Sequence, residues 1–135
     1  MKMREIEFRG LTANGEWVYG DLLHDVEHST AYWKAYSCRI CWIKEKTRYC
    51  NTPVKNGTIG QYINLKDKTR KKIYEGDIVK KKKKIGRVLY HRWTVGFYAS
   101  TKGGTMEIDD ECEVIGDIHT TPELLEDKKK DEQRI

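Results

Sequence analysis

The sequence lacks the segments that place a protein in or across a membrane. Its 135 residues contain no apolar run of about 18 residues or more, the length that a membrane-spanning helix needs. The first residues, Met1-Lys2-Met3-Arg4-Glu5, lack the apolar stretch of a secretory signal peptide. We therefore expect a cytoplasmic protein with no membrane partner.

The sequence also lacks a convergent set of acid, base and nucleophile side chains. No nucleophile elbow or phosphate-binding glycine loop accompanies the four histidines, which lie in unrelated contexts: His24, His28, His91 and His119. We predict that the protein is not an enzyme and uses no cofactor. Asp109-Asp110-Glu111 resembles a cation-ligand cluster and leaves a metal-dependent hydrolase as a remote alternative. Three consecutive acidic side chains are more often a solvated loop.

Cysteine is scarce, with four in the chain. In the cytosol these residues are expected to be thiols rather than disulfides. Cys38 and Cys41 have the spacing that grips one tetrahedral zinc ion, and Cys50 with His24 or His28 would supply further ligands. A second pair at suitable spacing is missing. The sequence therefore favours cysteines buried as small apolar side chains and leaves open whether Cys38, Cys41 and Cys50 bind metal.

Apolar residues are few: they make up 38% of the chain, against 35% charged residues. Four tryptophans and eight tyrosines partly compensate, because each aromatic ring buries a large apolar area. We expect the tryptophans in the core or on sheet faces: Trp17, Trp33, Trp42 and Trp93.

Charge is distributed unevenly along the chain. Residues 1–65 have 9 basic and 7 acidic side chains (+2), residues 66–92 have 12 and 3 (+9), and residues 93–135 have 5 and 11 (−6), which gives the overall +5. Blocks of opposite charge attract one another, within one chain or between copies. A homo-oligomer is therefore one predicted assembly.

Residues 4–23 are predicted to form a β-hairpin. Apolar and charged residues alternate from Glu5 to Arg9 with the period of a half-buried strand. Asn14-Gly15 favours a tight turn, and the sheet pattern resumes at 16–20. The side chains expected to point inward or to pair across the strands are Ile6, Phe8, Trp17 and Tyr19.

Further segments are rich in aromatic and β-branched residues, which favours strands over helices: 32–37, 38–43, 47–50 and 94–99. Asn51-Thr52-Pro53 predicts a break after the third of them. Residues 58–65 suit a short helical turn as well as a strand, and 66–71 is expected to be a surface loop.

The most informative stretch runs from Lys72 to Tyr90. Glu75-Gly76-Asp77 predicts a tight turn into a strand, the lysines 80–84 predict a solvated tip, and Gly86 to Tyr90 is the returning partner strand. Short strands with turns every ten residues or so predict a mainly-β fold. A small SH3-like barrel with an extra N-terminal hairpin and strands is the best match.

The C-terminal part is predicted to contain a strand at 113–118, with Gly116 at a bulge or a close backbone approach. Thr121 as N-cap and Pro122 at the first helical position then predict a short C-terminal helix. Residues 1–126 are interpreted as a single β domain, and 127–135 as a charged tail that frays.

A set of short blocks resembles one known family. The blocks are Arg4-Glu5-Ile6, Phe8-Arg9-Gly10, Gly15 to Gly20, Thr58 to Tyr62, Leu65 to Lys68, Lys72 to Val79, Glu113 to Ile118 and Pro122 to Leu125. Together they are similar to the YopX family of phage and prophage proteins, nearly end to end, with 24–56 and 80–105 matched least. The resemblance implies a phage or prophage origin in a bacterial host cell and a β-rich, barrel-like core. It is compatible with a homo-oligomer and implies no activity.

The lysine run is the strongest candidate site. Five ammonium groups would contact phosphates in a salt-sensitive way, and Tyr90, His91 and Trp93 would stack on single-stranded bases. The predicted nucleic-acid contacts are Lys80, Lys81, Lys82, Lys83, Lys84, Arg87 and Arg92. A simpler interpretation is a tip that keeps the hairpin soluble and prevents edge-to-edge pairing. A third is docking on the acidic 107–113 stretch of a neighbouring copy.

The sequence therefore predicts a non-catalytic protein-interaction or assembly module of a phage or prophage, with a phage or host protein as partner. The alternative is a nucleic-acid-binding accessory protein that uses the Lys80–Lys84 hairpin. A metal-dependent hydrolase is the remote alternative.

Overall fold

The computed structural model describes residues 3–24, 38–44 and 47–125, and over these residues the chain is almost entirely β. The strands are β1 Phe8–Leu11, β2 Trp17–His24, β3 Cys38–Lys44, β4 Thr47–Val54, β5 Gly60–Lys66, β6 Lys72–Tyr74, β7 Asp77–Lys81, β8 Lys84–His91, β9 Gly96–Thr101, β10 Gly104–Met106 and β11 Glu113–Asp117. A 3-10 turn covers Asn56–Thr58, and residues 123–125 are helical. Within the described ranges, no helix has the length and apolar character to cross a membrane.

The strands form two antiparallel sheets, with the orders β4-β3-β2-β1-β5-β6 and β10-β9-β8-β7-β11. The predicted mainly-β class and short C-terminal helix are confirmed. The two described sheets are not closed into a barrel, so the SH3-like barrel is not confirmed. The chain divides into two compact units, Met1–Tyr62 and Ile63–Ile135. The single domain over 1–126 stays a prediction, and both the 127–135 tail and the 32–37 strand lie outside the described residues.

The first unit begins with the predicted hairpin, in which β1 pairs with β2. Gly15 has a φ of 80°, the left-handed backbone that the tight turn needs. Of the four side chains expected to point inward or to pair across the strands, Phe8 and Trp17 are half-buried and two are exposed. Tyr19 pairs with Arg9 but is 45% exposed, because it lies on the face of β2 opposite to Val18. Ile6 is 59% exposed and precedes the strand.

The buried cluster of the first unit consists of Cys38, Ile40 and Val54, with Val18 packed against it. A Cβ on Gly10 would lie 2.7 Å from Val54 Cβ, so β1 needs glycine to approach β4 this closely. β4 itself runs through residue 53 to Val54, and the predicted break at 51–53 is wrong. A proline is tolerated there because β4 is the edge strand of its sheet.

The second unit contains the hairpin of β7 and β8. This confirms the prediction that the strand at Gly76-Asp77 leads into a turn of lysines and pairs with the strand that follows it. β7 lies between β8 and β11. Its residues Ile78 and Val79 are fully buried. The core around Val79 is formed by Ile63, Ile73, Val88, Ala99, Met106, Ile108 and Cys112.

Gly116 lies at a register shift between β11 and β7, which confirms the predicted bulge. A Cβ on Gly116 would lie 2.2 Å from Thr121 Oγ1, so the following segment folds back onto the strand at this point. The Thr121 hydroxyl accepts a hydrogen bond from Asp117 N at 3.0 Å and donates one to Asp117 O at 3.1 Å. The Thr121 hydroxyl therefore bonds the segment to the end of β11 and does not act as the predicted N-cap.

The 66–71 loop, predicted to lie on the surface, is built around a buried carboxylate. Asp67 is 4% exposed. Its Oδ1 accepts hydrogen bonds from Thr69 N, the Thr69 hydroxyl and Lys71 N at 2.7–2.9 Å, and its Oδ2 accepts one from Val114 N at 3.0 Å. Burial raises the pKa of Asp67, but the hydrogen bonds outweigh burial and hold that pKa below its ordinary value. The loop is therefore tied to β11 by one ionised side chain.

We predict that Asp67→Asn lowers the free energy of unfolding by about 2 kcal/mol at neutral pH, because an amide cannot accept all four hydrogen bonds. A depressed folded pKa gives stability that is present above the unfolded pKa of about 3.9 and is lost as the pH falls through the folded pKa. Urea unfolding across that range should therefore show the wild type losing its advantage over the variant in acid. Asp110→Asn, at an exposed position, is the control and should change little. An advantage of constant size at every pH would contradict the assignment.

Candidate functional site

The lysine hairpin is positioned by a tight turn at its base. Asp77 Oδ2 accepts a hydrogen bond from Tyr74 N at 2.8 Å, and Gly76 N donates to Val88 O at 2.9 Å. Gly76 has a φ of 93°, which favours glycine. At the other end Lys81 pairs with Lys84, so the chain reverses within two residues.

The two residues of the reversal are Lys82 and Lys83, and Lys82 has a φ of 56°. Side-chain-bearing residues seldom adopt this left-handed backbone, which asparagine and glycine tolerate best. The turn thus has a lysine at the position where its backbone geometry favours glycine. Lys80, Lys82, Lys83 and Lys84 are exposed, whereas Lys81 is half-buried.

Lys81 forms an ion pair with Asp109 through its Nζ and the carboxylate Oδ2. The hydrogen bond from Lys81 lowers the pKa of Asp109, and the same bond raises the pKa of Lys81. Asp109 Oδ1 also accepts a hydrogen bond from Glu111 N at 2.9 Å. The carboxylate is therefore bonded on both oxygens and links the end of β7 to the loop before β11.

A second ion pair joins the same two charge blocks, with Lys68 Nζ 3.2 Å from Glu113 Oε2. Both side chains are about half exposed, so the pair contributes little stability. Its place in the chain matters more than its strength. It shows that the basic 66–92 and acidic 93–135 stretches meet within one chain.

A groove of about 560 Å³ opens beside the lysine turn. It is lined by residues 81–84 of the β7–β8 turn and by Thr105, Met106 and Glu107 at the end of β10 and just after it. Met106 is 7% exposed, and Glu107 is exposed. The groove therefore combines ammonium groups, one carboxylate and one thioether side chain.

The two predicted arginine contacts lie apart from each other. Arg87 lies on the face of β8 opposite to Lys84, and it shares that face with Lys80 of the paired strand β7. Its Nε is buried without a hydrogen-bond partner. Arg92 follows the far end of β8, about 25 Å from Lys84 at the usual rise of a strand. The seven predicted nucleic-acid contacts are thus divided among different parts of the second unit.

A second exposed feature lies between β8 and β9. Trp93 is 79% exposed and Val95 74% exposed, and both lie in a turn, so the predicted core or sheet-face position of Trp93 is wrong. The Arg92 guanidinium lies 5.1 Å from the centre of the Trp93 ring. Val95 has a φ of 51°, a strained backbone for a β-branched residue. The sequence could have predicted that Trp93 and Val95 are exposed, because apolar residues in a turn between two strands lie on no strand face that packs into a core.

The metal alternatives find no support in the described residues. Cys41 takes part in a disulfide, so the prediction of thiols is wrong at this position, and Cys38 is a buried thiol. The side chains of Cys50, His24 and His28 lie outside the described set. Within that set no three His, Cys, Asp or Glu side chains are grouped to hold a metal ion. Asp109 of the acidic cluster is bonded to Lys81 instead.

Comparisons with known proteins relate the chain to one family and one fold. The model of the family described as YopX protein matches residues 7–126. No curated protein matches the chain. The crystal structure of protein EF1440 from Enterococcus faecalis is similar, with a TM-score of 0.53 and 21% identity, over 91% of this chain and 99% of that chain. At this identity the likeness shows a shared fold.

We predict that Lys81→Gln raises the pKa of Asp109 toward the ordinary aspartate value, because the hydrogen bond from the ammonium group is lost. An NMR titration of the side-chain carboxyl carbons measures the change. Lys80→Gln is the matched control, since Lys80 is exposed and lies on the other face of β7. An Asp109 titration that is identical in the wild type and in Lys81→Gln would rule out the ion pair in solution.

Proposed function

The chain belongs to the YopX family, as its sequence blocks indicated, and from this premise we propose that it is a non-catalytic protein-interaction module of a phage or prophage, acting in the cytoplasm of a bacterial host. The observation that carries the proposal is the mixed charge of the groove, which is lined by the lysine turn and by Glu107. A surface with both signs of charge complements another protein better than it complements a continuous polyanion.

The ion pairs within the chain support a different protein as the partner. Asp109 and Glu113, on the acidic stretch that a neighbouring copy would offer, are already bonded to Lys81 and Lys68 of their own chain. A second copy would have to break these pairs in order to dock there. A phage or host protein is therefore the partner that we favour over a homo-oligomer.

The turn between β8 and β9 supports a second point of contact. Trp93 is largely exposed and lies beside the Arg92 guanidinium. Tryptophan and arginine are the side chains most enriched among the residues that dominate protein interfaces. An exposed tryptophan at a hairpin turn is an anchor that a pocket on a partner would bury.

The buried carboxylates support a non-catalytic role. Asp67 and Asp117 each accept hydrogen bonds from backbone amides of their own loops. A general acid or base needs a carboxyl group that faces a substrate. These two carboxylates instead hold the chain in place.

The proposal is tested by capturing partners on the tagged full-length chain in induced host cells. We predict that replacing Lys82, Lys83 and Lys84 with serine reduces the recovery of a specific partner about tenfold, because three ammonium groups at the contact are lost. The matched control replaces three other exposed lysines, Lys55, Lys66 and Lys71, and removes the same charge. Quantitative mass spectrometry compares the three proteins.

Equal recovery of every bound protein by all three chains would contradict the proposal. Sedimentation velocity of the purified wild type decides whether the protein binds a second copy of itself. A monomer at all concentrations and salts leaves the phage or host protein as partner, whereas a salt-sensitive dimer makes the second copy the partner.

A nucleic-acid-binding accessory protein is the second proposal, and the exposure of Lys80, Lys82 and Lys84 favours it. If these three contact phosphates of duplex DNA, the logarithm of the binding constant should fall with the logarithm of salt with a slope of about −2.7. We predict for this function that serine at the three positions removes that slope, as measured by fluorescence anisotropy between low and physiological salt. An unchanged slope would exclude the hairpin as a DNA contact.

A further inference from the structure

The groove beside the lysine turn has the features of a ligand site with two walls of different chemistry. Residues 81–84 form the basic wall, and Thr105, Met106 and Glu107 form the other. Its volume of about 560 Å³ is in the range of sites that bind small ligands or short chain segments. The groove lies within the second unit.

The basic wall selects for negative charge. Lys82 and Lys84 are exposed, and Lys81 already holds the carboxylate of Asp109. The structure therefore contains one example of this wall binding a carboxylate. Glu107, which also lines the groove, would repel a second carboxylate and would accept a hydrogen bond from a backbone N–H.

The other features of the groove favour an acidic peptide over a nucleic acid as its ligand. In the described part of the chain, the side chains that line the groove include no aromatic ring on which a base would stack. Trp93 follows β8 at its far end from Lys84, and so lies away from the groove. Met106 offers an apolar contact that suits an aliphatic side chain.

We propose that this groove binds an extended peptide segment of a partner protein in which acidic residues flank one aliphatic residue. The inference rests on the proposed function and names the chemistry that its partner presents. The acidic side chains meet Lys82 and Lys84, the aliphatic side chain meets Met106, and a peptide N–H of the ligand donates to Glu107.

The backbone of the turn provides a variant that tests binding without destabilising the protein. Lys82 has a φ of 56°, which glycine adopts without strain. Lys82→Gly therefore removes one ammonium group and also relieves the backbone strain at this position. Weaker binding by this variant is not attributable to unfolding, and its thermal midpoint should be no lower than that of the wild type.

The test uses a short fluorescent peptide of glutamates and aspartates with one central leucine, titrated with the full-length protein. We predict that Lys82→Ser combined with Lys84→Ser weakens binding about tenfold, and that Lys82→Gly weakens it by a smaller factor. The matched control is Lys66→Ser combined with Lys71→Ser, which removes the same charge from exposed positions and should bind as the wild type does. A peptide with amides in place of the acids, and one with serine in place of leucine, should each bind more weakly.

A methionine signal locates the bound peptide. The chain has three methionines, of which Met106 lines the groove and Met3 is 90% exposed in the first unit. In protein labelled with carbon-13 at the methionine methyl groups, the peptide should shift the Met106 signal and leave the Met3 signal in place.

Several results would overturn the inference: no binding of the acidic peptide, equal binding by the wild type and both lysine variants, an unmoved Met106 signal, or tighter binding of a short oligothymidine at the same salt. These failures are distinguishable from failure of the proposed function. If partner capture still depends on the lysine turn while the peptide does not bind, the interaction module stands and only the peptide groove is wrong.

Discussion

The turn at Glu75-Gly76-Asp77 is the constraint on which the second unit depends. Asp77 accepts the Tyr74 amide, and the Gly76 amide donates to Val88, so the turn fixes both the direction and the register of β7. This strand pairs with β8 on one side and with β11 on the other. A slip of one residue would exchange the faces of Ile78 and Val79 and turn the lysines of the tip to new positions. The groove, the ion pair and the exposed lysines all follow from that register.

The charge that the hairpin tip presents to solvent depends on where each lysine lies and not on the number of lysines. The run from residue 80 to 84 contributes five positive charges to the sequence, but alternation places Lys80 on one face and Lys81 on the other. Lys81 meets Asp109, and Lys68 meets Glu113, so part of the opposed charge is neutralised inside the chain. What remains is a small mixed surface, which a protein partner complements better than a uniform polyanion does.

Three predictions that depend on a few adjacent residues are confirmed, although the break at 51–53 and the Thr121 N-cap are not. Asn14-Gly15 and Gly76-Asp77 turn as expected, and Gly116 lies at a bulge. These outcomes depend on backbone geometry that a short segment imposes by itself. Two further features differ from the sequence pattern because distant residues supply the interaction. Proline is tolerated at residue 53 because its strand is at an edge, and Asp67 is buried because β11 supplies an amide to bond it.

The sequence by itself determined the mainly-β class, the β7–β8 hairpin and the family, because alternation, turn chemistry and short motifs are local properties of the chain. Only the tertiary structure decided that Asp67 is buried beside β11, that β4 is an edge strand which tolerates Pro53, and that Lys81 is bonded to Asp109. The physical reason is that burial and electrostatic pairing depend on distances in space between residues far apart in sequence. The strand pairing sets those distances, and they cannot be read from any short stretch of the sequence.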